Sequence, residues 1–158
     1  MENLLISACL LGVCCRYDGG GKRVPEAERL ARRYHLIPVC PEQLGGMPTP
    51  RVPSERAGEK VVGKDGTDVT AFFAKGAEEA LRLATFFGCK RALLKERSPS
   101  CGAGQIYDGS FTGGLARGDG VLAEALQKNG IRVYGESNIQ ALLEREPEKS
   151  QQEESSCR

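Results

Sequence analysis

Residues 37–46 read IPVCPEQLGG, a short apolar run that passes directly into a cysteine, a proline and a pair of glycines. An apolar run followed by a cysteine and then by glycine also occurs in LLISACLLG at residues 4–12 and in LLKERSPSCGAG at residues 93–104. Short apolar runs that end at glycine or proline are typical of buried strands. The sequence therefore predicts three strands, each followed by a loop that carries one cysteine, namely Cys9, Cys40 or Cys101.

Helical patterns separate these apolar runs along the chain. Residues 25–34 form a charged amphipathic segment that starts with proline, and residues 71–87 form the longest helical pattern. Shorter helices are predicted at 121–128 and 138–145, on either side of a fourth strand at 131–134. This alternation predicts a single α/β domain with a parallel, Rossmann-like sheet and helices on both of its faces.

Two long irregular stretches follow the strands that end at the second and third of these cysteines. Residues 43–69 and 96–118 are rich in glycine and charge, and both contain an Asp-Gly turn signal. We interpret the segment KVVGKDGT at 60–67 as a small hairpin or flap. Irregular stretches of this length in a compact domain are usually functional, so we expect both to fold over a site at the ends of the strands.

Composition restricts the functions that are open to this chain of 158 residues. A formal net charge of +1 gives no strong indication of a nucleic-acid surface, and no apolar stretch approaches the roughly 20 residues of a membrane helix. The first apolar run lacks a basic leader, so we expect a cytoplasmic protein. We assign residues 1–146 to the domain and the polar residues 147–158 to a disordered tail.

The three cysteines at strand ends predict a site for a soft metal or an iron–sulfur cluster. The carboxyl ends of parallel strands are where open α/β sheets bind ligands, and thiolates are preferred ligands of such groups. Three protein ligands leave one coordination position for substrate, as catalytic metal sites do. The chain has no Cys-x-x-Cys pair, and His35 is its only histidine, so the common zinc patterns are absent.

Each cysteine also has a simpler interpretation as a small buried hydrophobe. We adopt that interpretation for Cys89, which lies between a helix and a strand, and we treat Cys157 in the tail as a free thiol. Cys14 and Cys15 follow the first strand closely. Each is open to three interpretations: a side chain that only fills space, a cluster ligand or a persulfide carrier. Seven cysteines in a reducing compartment favour metal binding or catalysis over disulfides.

Polar side chains beside the strand-end cysteines are candidates for catalysis. Glu42 follows Cys40 by two residues and is either a general base or acid, or a solvated loop carboxylate. Ser98 and Ser100 immediately precede the third cysteine. They either build a turn or form hydrogen bonds to substrate or to cluster sulfur.

Basic residues offer contacts for an anionic substrate. Lys22 ends a Gly-Gly-Gly-Lys sequence that looks like part of a phosphate loop but completes no P-loop pattern. Arg51 and Arg16 are alternatives to it. Taken singly, each of these three residues is more often a surface or structural charge than a ligand.

Four motifs together resemble the DUF523 family, whose characterised members are thiouracil desulfurases, also called TudS-like desulfidases. They are SACLLG with RYDGGGK, PVCPEQLGG with PRVPSE, GTDVTAFFAKGA, and LLKERSPSCGAGQIYDGSFTG. The motifs occur in the family's order and extend from about Ser7 to about Tyr134. Four separate motifs in this order make the resemblance specific, and the chain after Glu146 falls outside it.

The resemblance implies a [4Fe–4S] cluster held by Cys9, Cys40 and Cys101, with one iron left open. It also implies a catalytic glutamate at Glu42 and a catalytic serine at Ser98. The expected reaction removes sulfur from a thiolated pyrimidine of the 2-thiouracil or 4-thiouracil type, as free base or nucleotide. It yields the oxo-pyrimidine and hydrosulfide without net electron transfer, so no flavin or nicotinamide is expected.

Two other functions stay open at this point. One is a sulfur-transfer protein with a persulfide on Cys14 or Cys15, which predicts activity without iron. The other is a non-enzymatic binding module, which predicts a fourth protein ligand for its cluster or zinc and no turnover. The substrate is open between free base, nucleotide and thiolated tRNA, although the low net charge favours a small molecule. The sequence predicts no oligomeric state.

Overall fold

The computed structural model describes residues 1–145 of the chain, in which helices separate most of the strands. The strands there are β1 (Asn3–Ser7), β2 (His35–Val39), β3 (Ser54–Ala57), β4 (Lys60–Gly63), β5 (Arg91–Leu94), β6 (Gln105–Tyr107), β7 (Leu115–Arg117) and β8 (Arg132–Gly135). The helices there are α1 (Ala27–Arg33), α2 (Pro41–Leu44), α3 (Thr70–Phe86), α4 (Val121–Lys128) and α5 (Ile139–Leu143), with short 3-10 helices at Ala8–Leu11 and Glu136–Asn138. The tail predicted at 147–158, with Cys157 in it, lies outside the described residues.

Four parallel strands form the central sheet, in the spatial order β2-β1-β5-β8. β1 pairs with β2 from Asn3↔His35 to Ser7↔Val39 on one side and with β5 on the other. The chain passes from β2 over β1 to β5, so the strand order reverses at β1. Doubly wound sheets bind ligands beyond the carboxyl ends of their strands at such a switch point. The predicted α/β fold with a parallel sheet is confirmed.

Helices cover both faces of this sheet because successive side chains of a strand point to opposite sides. Leu4 and Ile6 of β1 belong to the apolar cluster that holds Leu30 of α1 and Leu142 of α5. Leu5, between them, belongs to the cluster formed with α3 and α4, which includes Ala80. Every one of these residues is fully buried. Side chains of β1 therefore pack against helices on both faces of the sheet. Helices on both faces were predicted from the sequence.

The longer helices agree with the sequence prediction. α4 has the predicted bounds and is followed by Asn129–Gly130, and α3 begins and ends one residue earlier than predicted. Cys89, after α3, lies buried in the aliphatic core, in agreement with its interpretation as a small hydrophobe. None of the helices described in residues 1–145 combines the length and the apolar character that a membrane crossing requires.

The first long stretch contains a hairpin that the sequence did not predict, followed by the chain reversal that it did predict. β3 and β4 pair antiparallel, and their turn lies at Gly58–Glu59. Gly58 has φ 61°, the left-handed conformation that glycine adopts without steric cost. The Asp65–Gly66 signal instead reverses the chain after β4, where Asp65 accepts a hydrogen bond from the Thr67 N–H. Residues 60–67 thus contain the predicted reversal, with an antiparallel bridge between Val62 and Asp68 and a hydrogen bond from the Gly63 N–H to the Thr67 carbonyl, and the unpredicted β3 pairs with the other edge of β4.

The second long stretch contains a hairpin that the sequence did not predict. β6 and β7 pair antiparallel and are three residues long each. Strands this short give no run of alternating residues, and several glycines lie around them. The loop at their tip, residues 108–114, contains the predicted Asp108–Gly109 turn signal. We call this loop the β6–β7 loop below.

The short helix α2 packs against α3 through two glycines. It carries Glu42 and starts at Pro41, within a region where the sequence predicted a strand end and irregular chain. A Cβ atom at Gly76 of α3 would overlap the Pro41 carbonyl oxygen, and one at Gly45 would overlap the Phe72 carbonyl oxygen. Only glycine permits this approach, so Gly76 is a packing requirement despite its low helix propensity.

Gly76→Ala is expected to lower the free energy of unfolding by about 2 kcal/mol, as overpacking of a tight contact does. Helix propensity alone would favour alanine by about 1 kcal/mol, so the two effects have opposite signs. Denaturant unfolding followed by circular dichroism measures the change. Lys75→Ala, at an exposed position of the same helix, is the control. Equal or higher stability of Gly76→Ala would contradict the close packing of α2 on α3.

Candidate active site

Cysteines converge where three adjacent strands of the sheet end. Cys9 lies in the 3-10 helix after β1, Cys40 directly follows β2, and Cys101 lies in the loop after β5. All three line one cavity of about 330 Å³. Cys15, which is 2% exposed, lines the same cavity. The fold thus brings four thiols together at the switch point of the sheet.

Burial and mutual proximity oppose ionisation of these thiols. Burial, and then the neighbouring Cys101, Cys15 and Cys40, raise the pKa of Cys9 to about 12. Burial and the adjacent Cys40 raise the pKa of Cys15 to about 12. Burial raises the pKa of Cys101 to about 11, although two serine hydroxyls that hydrogen bond to its sulfur act in the opposite direction. Several thiolates in this space therefore need a cationic group between them.

The arrangement of the thiols determines whether they are able to bind a single metal ion or an iron–sulfur cluster. Within residues 1–145, no three His, Cys, Asp or Glu side chains are arranged to hold a single metal ion. The four thiols are instead distributed around a cavity, in the segments that follow three different strands. An iron–sulfur cluster binds separate cysteines through separate iron atoms, and thiolate is the ligand it prefers. The chemistry and the distribution of these residues fit such a cluster.

Ser7, the last residue of β1, connects the ends of two central strands beneath the cavity. Its hydroxyl donates a hydrogen bond to the Cys101 sulfur at 3.4 Å and accepts one from the Lys95 N–H at 2.9 Å. It is 2% exposed and lines the cavity. Our reading of the sequence missed this residue, although a serine at the end of a buried apolar strand was an available signal.

Glu42 lines the cavity from the first turn of α2. Its Oε1 accepts a hydrogen bond from Arg51 Nε at 3.0 Å, and its Oε2 accepts one from the Ser100 hydroxyl at 3.1 Å. The side chain of Arg51 is 3% exposed and that of Glu42 is 17% exposed. Both carboxylate oxygens therefore have a fixed partner, and the group has one orientation at the cavity wall.

A chain of hydroxyls connects Ser98 through Ser100 to this carboxylate. Ser98 Oγ accepts the N–H groups of Ser100 and Cys101 at 3.1 and 3.2 Å and lies 2.9 Å from Ser100 Oγ. Because both acceptor positions of the Ser98 hydroxyl are used, its proton points toward Ser100. Ser100 in turn donates to Glu42. The three groups form a path along which a proton is able to move to or from the carboxylate.

Arg51 connects two loops beside the cavity. Its Nη1 donates to the Pro48 carbonyl and to Thr49 Oγ1, and its Nη2 donates to the Cys15 carbonyl at 2.9 Å. With its Nε bound to Glu42, the buried guanidinium is satisfied largely by the protein itself. The geometry favours a positioning role for Arg51 over the predicted contact with substrate.

Lys22 and the glycines before it lie outside the cavity and pack against the loop that carries Cys9. The exposed Lys22 side chain does not line the cavity, whereas its backbone N–H donates to the Cys9 carbonyl at 2.8 Å. A Cβ at Gly21 would lie 2.6 Å from the Gly12 carbonyl oxygen, so this loop packs closely against the loop that carries Cys9. The geometry favours a structural role over the predicted contact with substrate. Exposed Cys14 also lies outside the cavity lining.

The sequence analysis missed the residues that the two hairpins and their neighbours contribute to the cavity. Most of them lie within the quoted motifs, but no local pattern reveals that they face the cavity, because that depends on how the hairpins pack. These lining residues include Tyr17, Ser54, Glu55, Lys64, Lys95, Glu96, Tyr107 and Phe111.

The fold and the site define a doubly wound α/β protein with a thiol-lined cavity and a fixed carboxylate at its switch point. Residues 4–138 match the family model described as 2-thiouracil desulfurase. The chain belongs to the 2-thiouracil desulfurase family, which confirms the resemblance to DUF523 proteins.

Two relatives are similar over nearly the whole chain. The solved structure of a [4Fe-4S]-dependent thiouracil desulfidase, TudS, is similar with a TM-score of 0.86 and 46% identity, over 90% of this chain and 95% of that one. An uncharacterized protein, YbbK, of Bacillus subtilis (strain 168) is 37% identical over 150 residues, which are 89% of this chain and 99% of the relative.

Proposed function

We propose that this chain is a [4Fe–4S]-dependent desulfidase that converts thiolated pyrimidines to oxo-pyrimidines and hydrosulfide. The observation that carries the proposal is the meeting of strand-end thiols and the fixed Glu42 carboxylate in one cavity. Membership of the 2-thiouracil desulfurase family and similarity to a thiouracil desulfidase support the same reaction.

Three of the four cavity thiols are the proposed cluster ligands. Cys9, Cys40 and Cys101 would each contribute from the loop after a different strand, which leaves one iron open for substrate. When bound, the cluster supplies a Lewis acid for the soft sulfur of the thiocarbonyl group. Cys15 receives no ligand role, because the family motifs match only the other three.

The proposed reaction needs a water molecule, a base and no electrons. The water oxygen bonds to the thiocarbonyl carbon while Glu42 accepts a proton from that water. The carbon–sulfur bond then breaks, and sulfur leaves as hydrosulfide with the electron pair of that bond. Ser98 orients the Ser100 hydroxyl, and Ser100 exchanges a proton with the Glu42 carboxylate. One thiopyrimidine and one water thus give one oxo-pyrimidine, one hydrosulfide and one proton.

The size of the cavity and the state of the cysteines support a small-molecule substrate and a reducing compartment. The cavity of about 330 Å³ has to hold the cluster as well as the substrate, so the space that is left suits a small ring compound. The cysteines at the described positions are free thiols, which persist in the cytoplasm. We therefore place the enzyme there, with a thiolated pyrimidine as its partner.

Conversion of 2-thiouracil or 4-thiouracil by the anaerobically reconstituted protein tests the proposal. Without added reductant, uracil and sulfide are expected in equal amounts. Protein that has been freed of iron by chelation and gel filtration is the control. Sulfide release that requires a reductant, or release by the iron-free protein, would contradict the proposed chemistry.

Arg51→Lys is expected to reduce kcat about tenfold, because lysine keeps the charge but lacks the planar fork that orients Glu42. Steady-state kinetics and iron content are measured together, and iron content is expected to remain unchanged. Arg82→Lys, in a solvent-exposed ion pair with Glu78, is the matched control. Wild-type kcat in Arg51→Lys would show that the guanidinium does not position the carboxylate.

The alternative function is sulfur transfer through a persulfide. The geometry is compatible with a persulfide on Cys15, because Cys15 lines the cavity and Cys14 does not. This alternative predicts a mass increase of one sulfur atom on Cys15 after incubation with a sulfane-sulfur donor such as a small-molecule persulfide, whose outer sulfur already has the required oxidation state, and sulfur transfer by iron-free protein. The absence of this adduct in active protein would exclude it.

A further inference from the structure

The β6–β7 loop holds an aromatic residue in an unusual backbone conformation at the cavity. Phe111 has φ 57°, a left-handed value that residues with a side chain rarely adopt. Its half-buried side chain lines the same cavity as the thiols and Glu42. Such a conformation persists only where the surrounding structure fixes it.

Glu55 of β3 is the group that fixes this loop. The residue is 9% exposed, and its Oε1 accepts the backbone N–H groups of Gly109 and Phe111 at 3.0 and 3.2 Å. Gly109 also brings the loop against β3, where a Cβ at this position would lie 3.1 Å from the Ala57 Cβ. The loop and the β3–β4 hairpin therefore form one connected wall of the cavity.

Hydrogen bonds within the loop add to this rigidity. The Asp108 carboxylate accepts the Ser110 N–H at 2.9 Å and also its hydroxyl, which contacts the Thr112 hydroxyl. Tyr107, the last residue of β6, immediately precedes this loop and also lines the cavity. An aromatic side chain on a backbone that is held in this way loses little conformational entropy when it binds a flat ring, which is the advantage of a preorganised contact.

We propose that Phe111 packs against the pyrimidine ring of the substrate and determines the preference for cyclic, heteroaromatic thiocarbonyl compounds. Glu55 is then a positioning residue that acts through Phe111. This inference rests on the proposed desulfidase function. The ring stays in the cavity while sulfur is replaced by oxygen, so the contact stabilises substrate, transition state and product similarly. Its loss therefore affects KM and leaves kcat nearly unchanged.

Phe111→Ala in the reconstituted enzyme tests the contact. The KM for 2-thiouracil is expected to rise about tenfold, within the range found when a stacked aromatic side chain is removed. The inhibition constant of uracil, which has the ring but no sulfur, rises by the same factor. Phe86→Ala, at a phenylalanine that is 81% exposed on α3, is the matched control.

Further variants separate the ring contact from a structural role. Phe111→Tyr keeps the ring and is expected to restore KM, whereas Phe111→Leu keeps apolar volume and is expected to raise KM severalfold. Glu55→Ala raises KM and the uracil inhibition constant together, and Glu59→Ala, at an exposed carboxylate of the β3–β4 turn, leaves both unchanged. A merely structural role would lower thermal stability without a parallel change in the two constants.

The outcomes distinguish this inference from the proposed function. Unchanged KM and uracil inhibition in both Phe111→Ala and Phe111→Leu would overturn the ring contact while the desulfidase function stands. A wild-type protein that releases no sulfide would overturn the function instead. Calorimetric titration of wild type and Phe111→Ala with uracil would then still measure the ring contact, and equal affinities would refute it.

Discussion

Glu42→Gln is expected to lower kcat for thiouracil desulfurisation about a thousandfold, within the range that a positioned general base contributes. Glutamine has the size of glutamate, and its carbonyl oxygen still accepts a hydrogen bond from Arg51 or Ser100. It has no basic carboxylate, so it cannot take the proton of the attacking water. The cysteines are untouched, and the iron and sulfide content is expected to equal that of the wild type.

Steady-state sulfide release and iron analysis on the same preparation separate these two effects. Glu28→Gln, at an exposed carboxylate of α1, controls for the loss of one negative charge. Loss of iron in Glu42→Gln would indicate that Glu42 supports the cluster. A fully active Glu42→Gln enzyme would remove Glu42 from the mechanism.

Removal of any proposed cluster ligand is expected to abolish both colour and turnover. Cys9→Ala, Cys40→Ala and Cys101→Ala each delete one of three ligands, and two are insufficient to retain the cluster stably. Activity is expected to fall below the detection limit, because no step of the proposed chemistry proceeds without the cluster. Visible absorption and iron content after anaerobic reconstitution measure the loss.

Two further cysteines supply the controls for this series. Cys14→Ala, at an exposed position outside the cavity lining, is expected to keep the cluster and full activity. Cys15→Ala tests the number of ligands, since Cys15 lines the cavity but has no assigned ligand role. Retention of the cluster agrees with three ligands, whereas its loss would make Cys15 a fourth. A coloured, active Cys9→Ala protein would refute the proposed ligand set.

The central sheet was predictable because its strands are continuous apolar runs. β1, β2 and β5 end within the three quoted segments, and each run ends at a proline, glycine or charged stretch that stops the strand. A parallel arrangement then places the strand ends at one edge of the sheet, which is why the positions of three distant cysteines were informative.

The hairpins and their contacts were not predictable for a physical reason. β6 and β7 are too short for a periodic pattern, and the bond from Gly109 to Glu55 joins residues 54 positions apart. Cys14 and Cys15 also show that sequence alone does not predict which side chains reach the cavity. They are identical in type and adjacent, yet the backbone exposes the first and buries the second.

The hydroxyl path also depends on tertiary structure. The sequence offered Ser98 and Ser100 as equivalent neighbours of the third cysteine, and the family resemblance selected Ser98. In the structure Ser100 contacts the Glu42 carboxylate directly, and Ser98 orients Ser100. Which hydroxyl touches the carboxylate is decided by the packing of α2 against the loop after β5.

Iron and acid-labile sulfide analysis, with the visible absorption spectrum, of protein purified without oxygen tests the central claim most directly. The account predicts about four irons and four sulfides per chain, broad visible absorption, and desulfidase activity that increases in proportion to iron content. Colourless protein that stays empty after anaerobic reconstitution, or full activity in iron-free protein, would contradict it.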